Sequence, residues 1–358
     1  MDSKRVFFTV GPAELYPTVP GYVREALATN VLSTSHRSAA FTDWYRRAVS
    51  GIRTLLGAPE AFHVFFLGSA TEAMERAIEN CVERKSAHVV YGAFSKRWHK
   101  MAESLGKETE NLTVPDGEIP NLAEAVFSPD VEFIALTHNE TSTGGMLQFA
   151  DIVKLHARYP DALIGVDIVS STPTVSVPWD AVDIVLLSVQ KGMGLPAGLG
   201  VMFVSPRAYA KAETLSKKMS IGSYHNFLEL KHYADKDATH ETPNVFDIYL
   251  LAHVAEDMLK VGVDTLRANI ERRAKMVYDF LENSPFAPAI VDPAHRSLTT
   301  ISAKTPAGSA AVIERGKEQN IIMAGGYGNK KDSCIRIGNF PAHTDEDFER
   351  LLAVLKSF

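Results

Sequence analysis

Between residues 62 and 205 the chain repeats a pattern that few architectures satisfy. Short runs of consecutive apolar residues alternate with small or polar clusters and with segments whose apolar residues fall at helical spacing. The runs are FHVFFL (62–67), AHVVY (87–91), EFIALTH (132–138), ALIGVDIV (162–169), DIVLLS (183–188) and GVMFVS (200–205). None shows the apolar-polar alternation of a strand with one wet face, so the sheet they build is covered on both faces. Strands separated by helices pair mainly in parallel. The predicted fold class is therefore α/β, and ligands in such sheets bind beyond the C-terminal ends of the strands.

The residues standing at those ends are Gly68 to Thr71, Phe94, Asn139 to Thr143, Asp167 and Lys191. Lys191 follows DIVLLS almost directly and precedes GMGLPAGLG, whose glycines and proline bar any regular element. A lysine in a partly desolvated place loses ammonium stability and becomes a nucleophile toward carbonyls, so a Schiff base is the chemistry to expect. Taken alone, the loop is equally well a glycine-rich surface turn carrying a basic residue. FHVFFL-GSATEAMERAIENCV reads as strand, small-residue turn and helix, the layout of a phosphate cup, in which Ser69 and Thr71 add hydroxyls to the N–H groups of the helix start. Its bland alternative is an ordinary capped helix.

With 358 residues, two domains are expected. Helices are predicted at 19–29 and 41–56, and an irregular stretch at 220–244 crosses a surface or a subunit boundary. A helical stretch at 245–283, broken near Gly262, leads into strands at 297–303 and 333–340 and helices at 309–319 and 344–357. We divide the chain into a large domain at 16–245 and a smaller α+β domain made of 1–15 and 246–358. A net charge of -6 offers no electrostatic case for nucleic acid or a membrane surface. No apolar run approaches eighteen residues, and the five-residue run before Gly11 is too short for a secretory segment. Two cysteines, Cys81 and Cys334, fit a reducing cytoplasm. GMGLPAG is not GxGxxG, no GxxxxGK[ST] occurs, and the twelve histidines contain no HExxH, so a nucleotide-binding protein or a metal enzyme is disfavoured.

A cofactor with a phosphate, an aromatic ring bearing a basic nitrogen, and a carbonyl for lysine would use every strand end named above, and pyridoxal phosphate is such a cofactor. Asp167 would hold its ring nitrogen protonated, Phe94 would stack on the ring, and Thr141 and Gln190 would hydrogen-bond its oxygens. Arg336 is the one basic residue in CIRIGNF, and a guanidinium there suits a carboxylate, either the substrate's or a structural partner's.

Over nearly its whole length the chain resembles the class-V aminotransferases of fold type I, and among them the phosphoserine aminotransferase branch. The segments that carry the resemblance are TVGPAELYP, SHRSAAF, LGSATEAME, YGAFSKRW, THNETSTG, VDIVSS, SVQKGMGLPAGLG, HETPN and CIRIGNF. The resemblance implies Lys191 as the Schiff-base lysine and Asp167 as the pyridine partner. It implies Ser69, Ala70 and Thr71 at the cofactor phosphate, Phe94 as the stacking ring, and Thr141 and Gln190 as cofactor contacts. Glu241 and Thr242 match a pair that reaches the phosphate of a neighbouring subunit, which implies a homodimer; the first of that pair is commonly asparagine. His36 and Arg37 match a pair that recognises substrate phosphate, and Arg336 matches the carboxylate arginine. The substrates implied are 3-phosphoserine and 2-oxoglutarate. A second His-Arg pair is missing from AGGYGNKKDSCIR, which resembles the branch acting on alanine or serine with glyoxylate or pyruvate; Lys330 or Lys331 stands where the missing charge would be.

Overall fold

The computed structural model describes residues 4–115 and 117–358, so the first three residues of the arm assigned to the smaller domain lie outside it. In chain order the elements are β1 (Val6–Phe8), α1 (Val19–Ala28), α2 (Ala39–Leu56), β2 (His63–Leu67), α3 (Ala70–Cys81), β3 (Lys85–Val90), α4 (Ala93–Ser104), β4 (Glu108–Thr113) and β5 (Phe133–Thr137). A two-strand hairpin follows, β6 (Asn139–Glu140) and β7 (Gly145–Met146). Then come α5 (Phe149–Arg158), β8 (Leu163–Asp167), β9 (Ile184–Ser188), β10 (Gly200–Val204), α6 (Pro206–Ser216), α7 (Phe227–Ala234), α8 (Val245–Val261) and α9 (Val263–Glu282). The chain closes with β11 (Ala287–Pro288), β12 (Thr300–Lys304), α10 (Ser309–Glu318), β13 (Ile321–Gly325), β14 (Cys334–Gly338) and α11 (Asp345–Leu355).

The larger sheet has seven strands in the order β2-β10-β9-β8-β5-β3-β4. Strand β10 runs antiparallel to both β2 and β9, and the other pairs are parallel. Strands β5, β8, β9 and β10 are buried at every residue. Successive side chains point to opposite faces, and the packing shows it. Phe66, Val185, Leu187, Val201 and Phe203 join one core cluster, while Phe65, Ile184, Leu186, Met202 and Val204 join the other. Each face is therefore a separate core, which is why these strands are apolar without interruption. Edge strand β4, ETENLT, is never fully buried and has no apolar pattern, so the sequence carries no signal for it.

The smaller sheet runs β1-β13-β14-β12-β11 and packs under α9, α10 and α11 through Val277, Leu281, Val312 and Leu351. Strand β1 pairs in parallel with β13, so the N-terminal arm is built into the C-terminal sheet. Two expectations change. Residues 220–244 are not wholly irregular: Asn226 caps α7, of which only Phe227 and Leu230 are buried, too few to give a readable period. Helix α8, grouped on sequence grounds with the smaller domain, packs Ile248, Leu251 and Val254 into the core of the larger sheet beside Ile52 and Leu55 of α2.

Candidate active site

Strands β8 and β9 lie side by side in parallel, so Asp167 and the residues that follow Ser188 leave the sheet at the same edge. Lys191 is only 6% exposed there. Its Nζ donates to Thr141 Oγ1 at 2.8 Å and lies 5.1 Å from the centre of the Phe94 ring. Burial pushes the Lys191 ammonium below the ordinary lysine value, against the weaker pull of the Asp167 and Glu140 carboxylates. Burial pushes Asp167 up, opposed by a hydrogen bond from the Val169 N–H at 2.8 Å and by the charge of Lys191. No ion pair to Asp167 forms among the described residues.

The N-terminal arm closes over this lysine. Ala13 N–H donates to the Gln190 carbonyl at 3.0 Å and Tyr16 N–H to the Gly194 carbonyl at 2.8 Å. Gly11 is required by contact: a Cβ there would stand 2.7 Å from Lys191 Cε. Sequence reasoning treated TVGPAELYP as part of a resemblance and saw no contact with the lysine, since nothing local announces it.

Glu140 is the residue that sequence reasoning missed. It is fully buried, and its carboxylate accepts from Ser95 N–H at 2.9 Å, Phe94 N–H at 3.1 Å, Ser142 N–H at 3.1 Å, and the hydroxyls of Ser95 at 3.0 Å and Ser142 at 2.6 Å. A carboxylate there satisfies the open N–H groups at the start of α4 and complements its dipole. It also ties Phe94 to the turn that carries Thr141. Gly92 makes the approach possible, because a Cβ would meet Glu140 Cγ at 2.3 Å. The signal available was Glu140 within an otherwise uncharged THNETSTG and a glycine opening a helix.

The expected phosphate cup is present as geometry. Ser69 is the N-cap of α3 and accepts from Glu72 N–H at 3.1 Å, so the bland capped-helix reading of that serine also holds. As first-turn groups, the N–H of Ala70 and of Thr71 have no intrahelical acceptor. Ser69, Ala70, Thr71, Phe94, Thr141, Asp167, Gln190 and Lys191 line one cleft of about 120 Å³, and Gln190 Oε1 is buried in it with no hydrogen-bond partner among the described residues.

Arg336, on β14 of the smaller sheet, is not among the residues lining the cleft but reaches one of them, Thr141. Its Nε donates to the Gly325 carbonyl at 2.8 Å and its Nη1 to the Thr141 carbonyl at 3.3 Å. No carboxylate pairs with it among the described residues, so the structural-salt-bridge alternative does not hold. Thr141 thus touches Lys191 through its hydroxyl and Arg336 through its carbonyl. The Tyr327 ring, unforeseen from sequence, lies 5.5 Å from the Arg336 guanidinium and 6.3 Å from Phe94. Lys330 sits against Gly117, where a Cβ would be 2.3 Å from its Nζ, and neither it nor Lys331 lines the Lys191 cleft.

His36, Arg37 and Thr242 do not line that cleft either. Arg37 donates to the Thr239 carbonyl at 2.9 Å and lies over Tyr233 at 5.4 Å, and Thr242, three residues after Thr239, is exposed. Glu241 is bound to His225 Nε2 at 2.7 Å, and the other ring nitrogen of His225 meets Glu72. Burial opposes the charge on His225, yet the two carboxylates outweigh it and hold its pKa up to about 9. Glu241 is thereby engaged within its own chain.

The aminotransferase class-V family model matches residues 7–351. A phosphoserine aminotransferase of Dichelobacter nodosus is 30% identical over 318 residues, covering 85% of this chain and 84% of its own. The crystal structure of a phosphoserine aminotransferase from Cytophaga hutchinsonii has a TM-score of 0.97 to this fold at 40% identity, covering 100% of this chain and 99% of that one. An alanine–glyoxylate aminotransferase from Nostoc sp. shares the fold at a TM-score of 0.85 and 23% identity, covering 99% of this chain and 95% of that one. With a buried lysine and aspartate at adjacent strand ends of a mainly parallel sheet, and a family match over nearly its whole length, the chain belongs to the class-V aminotransferases, transferases of fold type I.

Proposed function

We propose that this aminotransferase uses pyridoxal phosphate to exchange the amino group between 3-phosphoserine and 2-oxoglutarate, with 3-phosphohydroxypyruvate and glutamate as products, in serine biosynthesis. The observation that carries the substrate is the likeness to the Cytophaga hutchinsonii phosphoserine aminotransferase over the whole chain. The cofactor is supported by the fit of the residues: an aspartate without a cation, an unpartnered Gln190 oxygen, and open N–H groups at Ala70 and Thr71. When bound, pyridoxal phosphate supplies a carbonyl that condenses with amines and a ring that, protonated on nitrogen, draws electrons from a substrate α-carbon.

The chain's own residues then take defined tasks. Lys191 Nζ, desolvated and steered by Thr141, would hold the cofactor through its carbonyl and, once released by the substrate amine, would carry the α-proton. Asp167, pushed up while it lacks a cation, becomes a stable carboxylate when a ring N–H⁺ faces it. Arg336, held by two carbonyls, offers its remaining N–H groups to the substrate carboxylate. Ser69, Ala70, Thr71 and Gln190 hold cofactor oxygens, and Phe94 covers the ring. His36 and Arg37 hold the substrate phosphate.

A second reading, alanine or serine with glyoxylate or pyruvate, is favoured by one observation: the segment before Arg336 has no His-Arg pair, and Lys330 is turned onto Gly117. The two are separated by mixing holoenzyme with phosphoserine, serine or alanine and following the visible cofactor band. Phosphoserine should bleach it at least about a hundredfold faster than serine, and replacing His36 and Arg37 with alanine should erase that ratio. Equal rates in the native enzyme would favour the second reading.

The homodimer belongs to the same proposal. It is supported by the position of His36, Arg37 and Thr242, none of which lines its own chain's cleft, with Arg37 bound to the 239–240 segment just before Thr242, as residues that serve a neighbour's site would be. Mixing a Lys191→Ala chain with an Arg37→Ala chain should then restore activity in hybrids, because one of their two sites is intact. Hybrids no more active than either parent would refute sharing across the interface. The division between domains is better placed at Gly262 than at 245/246, given where α8 packs. A cytoplasmic location is supported by the two cysteines, both free and buried. Among the described residues no helix is long and apolar enough to cross a membrane, and no cluster of three or more His, Cys, Asp or Glu side chains is placed to hold a metal.

A further inference from the structure

Arg97, one turn into α4, has no part in the assignments above. Its Nη1 lies 3.4 Å from Thr71 Oγ1 in the first turn of α3, and its guanidinium lies 5.2 Å from the centre of the Phe94 ring. A guanidinium resting on an aromatic face keeps its N–H fork oriented. One carboxylate lines the cleft, Asp167, which accepts from Val169 N–H at 2.8 Å and forms no ion pair with Arg97; two more, outside the lining, are engaged elsewhere. Glu72 accepts from Gly68 N–H at 2.7 Å and pairs with His225, while Glu140 binds Phe94, Ser95 and Ser142. No carboxylate pairs with Arg97 among the described residues. It lines the same cleft as Lys191, and its charge is felt by both Lys191 and Asp167. An oriented cation without an anion, touching the turn that presents the open N–H groups of Ala70 and Thr71, is suited to a tetrahedral dianion.

We propose that Arg97 binds a phosphate monoester in this cleft, and that the monoester is the cofactor's own phosphate at Ala70 and Thr71. This rests on the pyridoxal phosphate reading. It adds a side-chain cation from the same chain to a cup that otherwise uses N–H groups and hydroxyls, and it makes the Arg97–Thr71 contact a bridge between the two helix starts.

The test uses holoenzyme of the native protein, Arg97→Gln and Arg97→Lys, with release of the visible cofactor band followed after dilution into a carbonyl scavenger. Arg97→Gln should release cofactor about tenfold faster, Arg97→Lys should fall between, and the native advantage should shrink as salt rises. Binding of pyridoxal, which lacks the phosphate, should be the same in all three. Unchanged release with an apparent Kd for phosphoserine raised about tenfold, and none for serine, would keep phosphate recognition but assign it to the substrate. If neither release nor phosphoserine binding moves, and the variants melt as the native protein does, the proposal is overturned. Native protein that takes no borohydride-fixed cofactor at Lys191 would instead overturn the cofactor reading beneath it.

Discussion

Replacing Lys191 with alanine lowers turnover by about 10⁴-fold or more and abolishes the borohydride-fixed cofactor label, while the protein still melts within a few degrees of native. The activity loss is large because one atom, Nζ, is asked both to capture a carbonyl and to carry a proton. The stability effect is small for a physical reason. Among the described residues the buried ammonium makes a single hydrogen bond, to Thr141, so its removal deletes a desolvated charge along with that bond. A label that persists in the variant would move the chemistry to another lysine. The pH dependence follows from the direction of the shift. Burial lowers the Lys191 pKa, so the reactive neutral amine is present above the lowered value and is lost as pH falls through it. Cofactor uptake by stripped protein should therefore be near its plateau at about pH 9, where an ordinary lysine is still mostly protonated. A rate that keeps climbing steeply beyond the usual lysine value would contradict the burial argument.

The second large effect falls on folding. Glu140→Gln should cost about 2–4 kcal/mol, because five donors converge on a buried carboxylate and an amide offers them one acceptor oxygen and turns an NH₂ group against the rest. Thermal unfolding followed by circular dichroism should drop by several degrees. Turnover should fall at temperatures where the variant is still folded, since Phe94 and Thr141 lose the group that holds them in register across the cleft. Glu140→Ala should be worse, as it leaves the same donors unpaired beside a cavity. A Glu140→Gln enzyme that melts like the native protein would show that water or a neighbouring group replaces the carboxylate, and the positioning role would be lost.

Much of this site was legible because strand ends in a parallel sheet are sequence-local events. An unbroken apolar run followed by a polar residue marks a strand end whether or not the partner strands are known. Asp167 and Lys191 were found that way, as were Ser69 to Thr71 and Phe94. Thr141 and Gln190 came with the motifs around them. Arg336 was legible as a lone cation in an apolar strand, but its two carbonyl partners and its freedom from a carboxylate were not. Glu140 and Arg97 escaped because their roles are defined by what surrounds them. A glutamate bonded by two serine hydroxyls and three main-chain N–H groups looks, in one dimension, like any other acid.

By itself, the sequence determined the mainly parallel sheet, the strand ends and the lysine-aspartate pair, since each depends on patterns a few residues long. The tertiary structure alone decided which distant segments meet. It set Gly11 against the stem of Lys191, Glu140 beneath Gly92, Arg97 over Phe94, and Glu241 against His225. It also kept His36, Arg37 and Thr242 outside their own cleft and moved α8 into the larger core. Such contacts join residues that no local pattern links, and they are specified only when every helix and strand has packed.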